Sequence, residues 1–326
     1  FPCRNYTWQN ELRPQQKQQD MSLFSRLGEE ATVRSFTDSE LTRAYAIYQD
    51  LYQMATRYED IARKNIIRIK NPLILKIVCT NYLGYSLPDD NARYTSIALF
   101  SKMVHDIKHS YAGNRQVEIL REIAACLLAS YEGGTAQDSV MTAWLGEKAD
   151  TIAFKELLNK PERPILRLVK GEKVQFIYER FLEYMLAVTY FDRETKDLAD
   201  DTPIPAEVYV RTIEKAATNE VFISTLRNVL IMDYMRTSNP RTIIRLASDH
   251  SDNFTIMTLV TDVMNTLVTE NYEIPLFSLL HELLTYTEDD LRETITEYNN
   301  VTKIIEKNKA DNETIAQFKA LSARLA

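Results

Sequence analysis

The sequence predicts a mainly α-helical chain: a helical subdomain, a winged helix with one small β-hairpin, then an α-solenoid of helix pairs. Three observations predict it. Glycine is scarce, seven of 326 residues, or about 2% against a usual ~7%, and folds built from tight turns or phosphate-cradling loops need more. Apolar residues keep helical spacing in most segments, and the period changes to strand-like alternation at 165–177. Pro205, Pro240 and Pro275 stand 35 residues apart, twice, as a repeated helix pair would place them.

The first clear helix begins in "SFTDSELTRAYAIYQDLY". Thr37 and Glu40 fit a capping box, and Phe36 and Leu41 stand where a hydrophobic staple would hold the entry. Leu41, Ala44, Tyr45, Tyr48 and Tyr52 then keep one face apolar. In "KNPLILKIVCTNYLGY" Asn71 can cap, Pro72 suits the first helical position, and the next turns are apolar nearly all round, as in a buried helix. "EILREIAACLLASY" (118–131) is a further helix that ends at Gly133 and Gly134.

Residues 165–177, "ILRLVKGEKVQFI", read as a hairpin with Gly171 in the turn. A helix follows at once. Phe181, Tyr184, Met185 and Val188 share one face of it, and Glu179 and Glu183 another. Helices before a hairpin and one after it describe a winged helix.

"DRETKDLADDTPIP" (192–205) is polar, ends in prolines and reads as a linker. Beyond it each first helix is followed by a second. Phe222, Leu226, Val229 and Leu230 mark one; Ile256, Leu259, Val260, Val263 and Leu267 the next; Leu291, Ile295, Tyr298 and Ile305 the third. Leu276, Leu279, Leu280, Leu283 and Leu284 make the clearest apolar stripe, and a last helix is expected near Asn312. The side chains match no single repeat consensus.

The net charge is −7 and the pI about 5.4. That balance argues against general binding to nucleic acid or to anionic membranes, which needs basic surface. Cys3, Cys79 and Cys126 are scattered and lack metal-ligand spacing, so a reducing cytoplasm is expected. There is no secretory signal, and no apolar run approaches ~18 residues, so no membrane span is expected. Asn5, Asn253, Asn300 and Asn312 match glycosylation sequons by residue type, which matters only in a secreted protein.

Few residues point to chemistry. His105 and His109, one helical turn apart, could offer two imidazoles to a metal, but no third ligand is evident, and a solvated helix face is the expectation. Glu179 and Glu183 could form an acid/base pair, and here too the expectation is a wet helix face. Arg167, Lys170 and Lys173 make a basic wing that could meet DNA. No phosphate loop, nucleophile elbow or dinucleotide fingerprint is visible, so no catalytic residue and no metal site is assigned.

Three short stretches, taken in order, resemble the second half of a NACHT-type nucleotide-binding module of the STAND class of NTPases. "CRNYTW" (3–8) looks like the end of a sensor strand, whose arginine faces nucleotide phosphates; that position is Arg4. "NPLILKIVC" (71–79) is similar to the start of a helix whose proline packs against adenine; that position is Pro72. "VQFIYERFLEYMLA" (174–187) resembles F-x-H-x-x-F-x-E-[YF]-x-x-A at the exit of the winged-helix hairpin, with Phe176, Tyr178, Phe181, Glu183, Tyr184 and Ala187 in the motif positions. The family's histidine, which touches the β-phosphate of ADP, is replaced by Tyr178. A phenol can donate one hydrogen bond but brings no positive charge.

The resemblance spans roughly residues 1–192. It implies the tail of a nucleotide-binding core with a helical subdomain in 1–95 and a winged helix in 96–192; the helix pairs read from the proline period make 193–326 the arm beyond it. ATP or ADP with magnesium would belong to the parent protein, with the Walker A and Walker B parts upstream of Phe1, and this chain alone would neither bind nor hydrolyse ATP. The implied function is a signalling or defence switch that couples nucleotide state to a protein partner on the arm and to homo-oligomerisation on activation. Two alternatives stand beside it: a non-enzymatic helical-repeat scaffold and, behind that, a winged-helix DNA regulator.

Overall fold

The computed structural model describes residues 35–135, 137–159, 165–169, 172–215, 220–250 and 252–269. Arg4, Lys170, Gly171, Pro275, the stripe from Leu276 to Leu284, the helix marked by Leu291 to Ile305, and Asn312 lie outside them. The described chain is mainly helical with one small antiparallel sheet. It forms two compact units, one ending at Leu87 and the other beginning at Pro88.

The first unit holds α1 (Asp38–Leu51), α2 (Arg63–Ile69) and α3 (Pro72–Asn81). The predicted capping box opens α1: Thr37 N–H donates to Glu40 Oε2 at 2.8 Å, and Glu40 N–H to Thr37 Oγ1 at 3.3 Å. Those bonds, first the one from the Thr37 backbone, hold the Glu40 carboxyl below its ordinary value of 4.5. A depressed folded value means stability that is present at neutral pH and lost as pH falls through that value. The stability difference between the native chain and Glu40→Gln should therefore shrink below about pH 4.5, as urea melts across pH would show.

Asn71 Oδ1 accepts from Leu73 and Ile74 N–H, with Pro72 at the first turn of α3. No residue of α3 is fully exposed, as its apolar sequence predicts. Leu41, Tyr45, Ile69, Leu75, Val78 and Cys79 form the core of this unit. The Tyr45 hydroxyl reaches the Thr56 carbonyl at 3.0 Å. Burial pushes the Cys79 thiol up to about 12, which leaves it an inert core group.

The second unit begins with α4 (Ser96–Lys108), capped by Thr95 Oγ1, and α5 (Gly113–Glu132). Between them the chain turns through Ala112 at a left-handed φ of 56°. Gly113 follows because the backbone passes close behind it: a Cβ there would stand 2.0 Å from the Ile107 carbonyl oxygen. Gly113→Ala must push backbone apart and should cost roughly 1–3 kcal/mol in a denaturant melt. α5 ends at Gly133 and Gly134, the latter at φ 80°, as the sequence predicts.

Then come β1 (Ser139–Met141), α6 (Ile152–Asn159), β2 (Leu166–Val169), β3 (Lys173–Phe176) and α7 (Glu179–Thr195). β2 and β3 are the predicted hairpin, with Leu166 opposite Phe176 and Leu168 opposite Val174. β1 joins the other edge of β3 to give the order β1-β3-β2. One face carries Val140, Val174, Leu166 and Phe176 into the core. On the other, a polar ladder runs from β2 across β3 to the residue just before β1. Arg167 donates to Gln175 Oε1 from Nε at 2.9 Å, and Gln175 Nε2 donates to Asp138 Oδ2 at 2.5 Å.

Four helices follow: α8 (Ala206–Lys215), α9 (Glu220–Thr237), α10 (Arg241–Asp249) and α11 (Phe254–Thr269). Pro205 precedes α8 and Pro240 caps α10, as their spacing predicts. The apolar residues expected on α9 and α11 are buried. The stretch 192–205 is helix up to Thr195 and then a loop that is pinned down. Arg236 donates to the carbonyls of Ala199, Asp200 and Thr202, and the buried Asp233 accepts from Ile204 N–H at 2.9 Å.

Candidate functional site

The hairpin runs into α7 through two residues. Ile177 N–H donates to the Ile165 carbonyl at 2.9 Å, which closes the strand pair. Tyr178 is the N-cap of α7: its backbone is extended, at φ −104° and ψ 112°, and its carbonyl accepts from Phe181 and Leu182 N–H at 3.0 Å each. The side chain is half-buried. Tyr178 is therefore the residue at which strand geometry becomes helix geometry.

One turn further on, α7 drives an aromatic wedge into the unit. The Phe181 ring lies 5.6 Å from that of Phe100 on α4, 5.9 Å from Phe176 on β3 and 6.2 Å from Tyr184. Such tilted, edge-on and stacked pairs add to the burial of each ring. Burial pushes the Tyr184 hydroxyl up, opposed by its hydrogen bond with Ser101 and by the Arg121 charge.

Glu183 overturns the expectation of a wet face. It is 0% exposed. Its Oε2 accepts from Arg180 Nη1 at 3.0 Å and stands 3.8 Å from Arg227 Nη2 on α9. The arginine side chains are 43% and 16% exposed, so Arg227 is the partner shielded from water. Asp262 on α11 joins the same field. Burial raises its carboxyl above the ordinary range, Arg227 and Arg180 pull it down, and Glu220 pushes it up again. The reason is packing: α7 lies against both α5 and α9, and the Glu183 position is closed off from solvent. Only Glu179 keeps partial access to water.

The other sequence candidates are not among the residues of this cluster. Pro72 sits at the first turn of α3 in the first unit, and Tyr178 and Glu183 in the second. His105 and His109 are exposed, with ring centroids 4.1 Å apart and His109 Nδ1 against the His105 carbonyl at 2.8 Å. No group of three His, Cys, Asp or Glu positioned for a metal occurs among the described residues. Arg167, expected on a basic wing, is held in the ladder that ends on Asp138, while Lys173 is exposed. Among the described residues no helix is long and apolar enough to cross a membrane.

Sequence reasoning missed Arg180, Arg227 and Asp262. The spacing of Arg180 and Glu183 was a signal for one pair; nothing local marks the other two. The junction joins Tyr178, at the start of α7, to an ion cluster around the buried Glu183 that is shared with α9. Comparison with protein-family models, with curated proteins and with solved structures finds no match.

Proposed function

We propose that the chain is the regulatory part of a STAND/NACHT-like signalling NTPase. On this reading residues 96–192 are a winged helix, and α8 to α11 begin an α-solenoid arm that meets a protein partner. ADP or ATP, with magnesium, binds in the core of the parent protein. Arg4 and Pro72 belong to that nucleotide site, and Tyr178 senses its occupancy from the hairpin exit. Partner binding and nucleotide exchange then release the joint and allow homo-oligomerisation in the cytoplasm. Such a switch requires contacts that differ between two states.

The observation that carries the reading is the course of α7. It starts at the proposed sensor residue and, within two turns, anchors Glu183 against Arg227 of the arm. Any reorientation of Tyr178 by nucleotide would bear on that ion pair. A second reading, a helical-repeat scaffold without nucleotide, draws on the four helices α8 to α11 and on Pro205 and Pro240, one 35-residue period apart, before α8 and α10.

Hydrogen exchange of the full-length gene product, with and without ADP, tests the proposal. The switch predicts saturable ADP binding and altered protection in 173–184 and 220–230. Absence of ADP binding, or binding that leaves both segments unchanged, favours the scaffold.

A further inference from the structure

We propose that the cleft between the ends of α5 and α7 and the outer face of α8 binds a small zwitterion: a solute with an ammonium group at one end and a carboxylate or phosphate at the other. The cleft measures about 300 Å³ and is lined by Glu132, Glu194, Val208, Arg211, Thr212 and Lys215. That volume is at the small end of the ~300–1,000 Å³ found for ligand sites. Its walls differ from the usual apolar lining, because Val208 is the only apolar side chain of the six.

The composition of the walls follows from the packing of α8. Ala206, Tyr209 and Ile213 turn into the core. Val208, Arg211, Thr212 and Lys215, at i, i+3, i+4 and i+7, then share the face left over. Arg211 and Lys215 place two cations one helical turn apart on that face, and both are exposed. Among the described residues the carboxylates nearby go to Arg193 instead. Its two terminal nitrogens clamp Glu132 at 2.8 and 2.6 Å, and its Nε takes Glu194 Oε1 at 2.8 Å.

Glu132 is thereby engaged through both oxygens, and Glu194 through one. A carboxylate can accept about four hydrogen bonds, so Glu194 retains acceptor capacity facing the cleft. Thr212 supplies shape and no donor. Its hydroxyl donates to the Val208 carbonyl at 2.7 Å and accepts from Tyr190 Oη at 2.8 Å. A plain anion would meet the glutamates, and a plain cation would meet Arg211 and Lys215. A solute with both charges satisfies the two walls at once. This inference is independent of the nucleotide reading.

Calorimetry on the full chain tests it with β-alanine, L-glutamate and O-phosphoethanolamine as zwitterions, succinate and inorganic phosphate as anions, and ethylamine as a cation. The result expected is saturable binding of at least one zwitterion and of neither single-charge class. Arg211→Ala with Lys215→Ala, and separately Glu194→Gln, should each weaken it about tenfold, near the value of one charge-assisted hydrogen bond. These side chains lie outside the core, so melting should barely change. No saturable binding of any zwitterion up to the millimolar range overturns the proposal. So does binding untouched by either variant, or anion binding that survives Glu194→Gln unchanged and matches the zwitterions.

Discussion

Glu183→Ala is expected to lower the stability of the chain by ~3–5 kcal/mol, the usual loss when one partner is removed from a buried ion pair. The carboxylate is 0% exposed, and Arg227 on the far side is only 16% exposed, so its charge is left in a poorly hydrated place. Arg180, 43% exposed, can turn to water and adds less. Glu183→Gln separates charge from volume. It keeps the shape and one acceptor oxygen, so the loss should be smaller, though still measurable in a urea melt. Equal stability of the native and alanine forms would mean that the cluster holds nothing together.

Phe181→Ala should cost a similar ~3–5 kcal/mol, through a cavity rather than a charge. Phe181 is fully buried and touches the rings of Phe100, Phe176 and Tyr184. Those rings come from α4, β3 and α7 itself, so the void opens where helix, strand and junction meet. Phe181→Leu should recover part of the loss, because most of the volume is kept. Thermal melts of the two variants, with near-ultraviolet dichroism for the order of the rings, check this. A Phe181→Ala melt that overlays the native one would contradict the wedge.

What the sequence made legible was whatever a short window decides. Thr37 with Glu40, and Asn71 with Pro72, satisfy helix starts using partners three residues away or fewer, and both form as read. The alternation at 165–177 fixes which face of the hairpin is buried, and Leu166, Val174 and Phe176 obey it. β1 was invisible because three residues cannot set a period, and its identity as a strand comes from pairing with β3. Gly113 carries no local mark, since its need for a missing Cβ arises from the return of the chain past Ile107. Glu183 was misread for the same reason. Two glutamates one turn apart are usually solvated, and only the placement of α9 against α7 removes the water and brings Arg227 instead.

The mechanism proposed for the junction turns on Tyr178. The most direct measurement is ADP affinity together with melting temperature on the full-length protein in three forms: native, Tyr178→Phe and Tyr178→His. The half-buried ring at the start of α7 remains in Tyr178→Phe, so melting should barely move, while ADP affinity falls by the value of one hydrogen bond to a charged acceptor, ~1.5–3 kcal/mol. Tyr178→His should tighten ADP binding, and more at pH 6 than at pH 8, because only the imidazolium adds positive charge beside a phosphate. Unchanged ADP affinity in both variants, with melting shifted most by the histidine, would contradict the account and leave the junction as core packing alone.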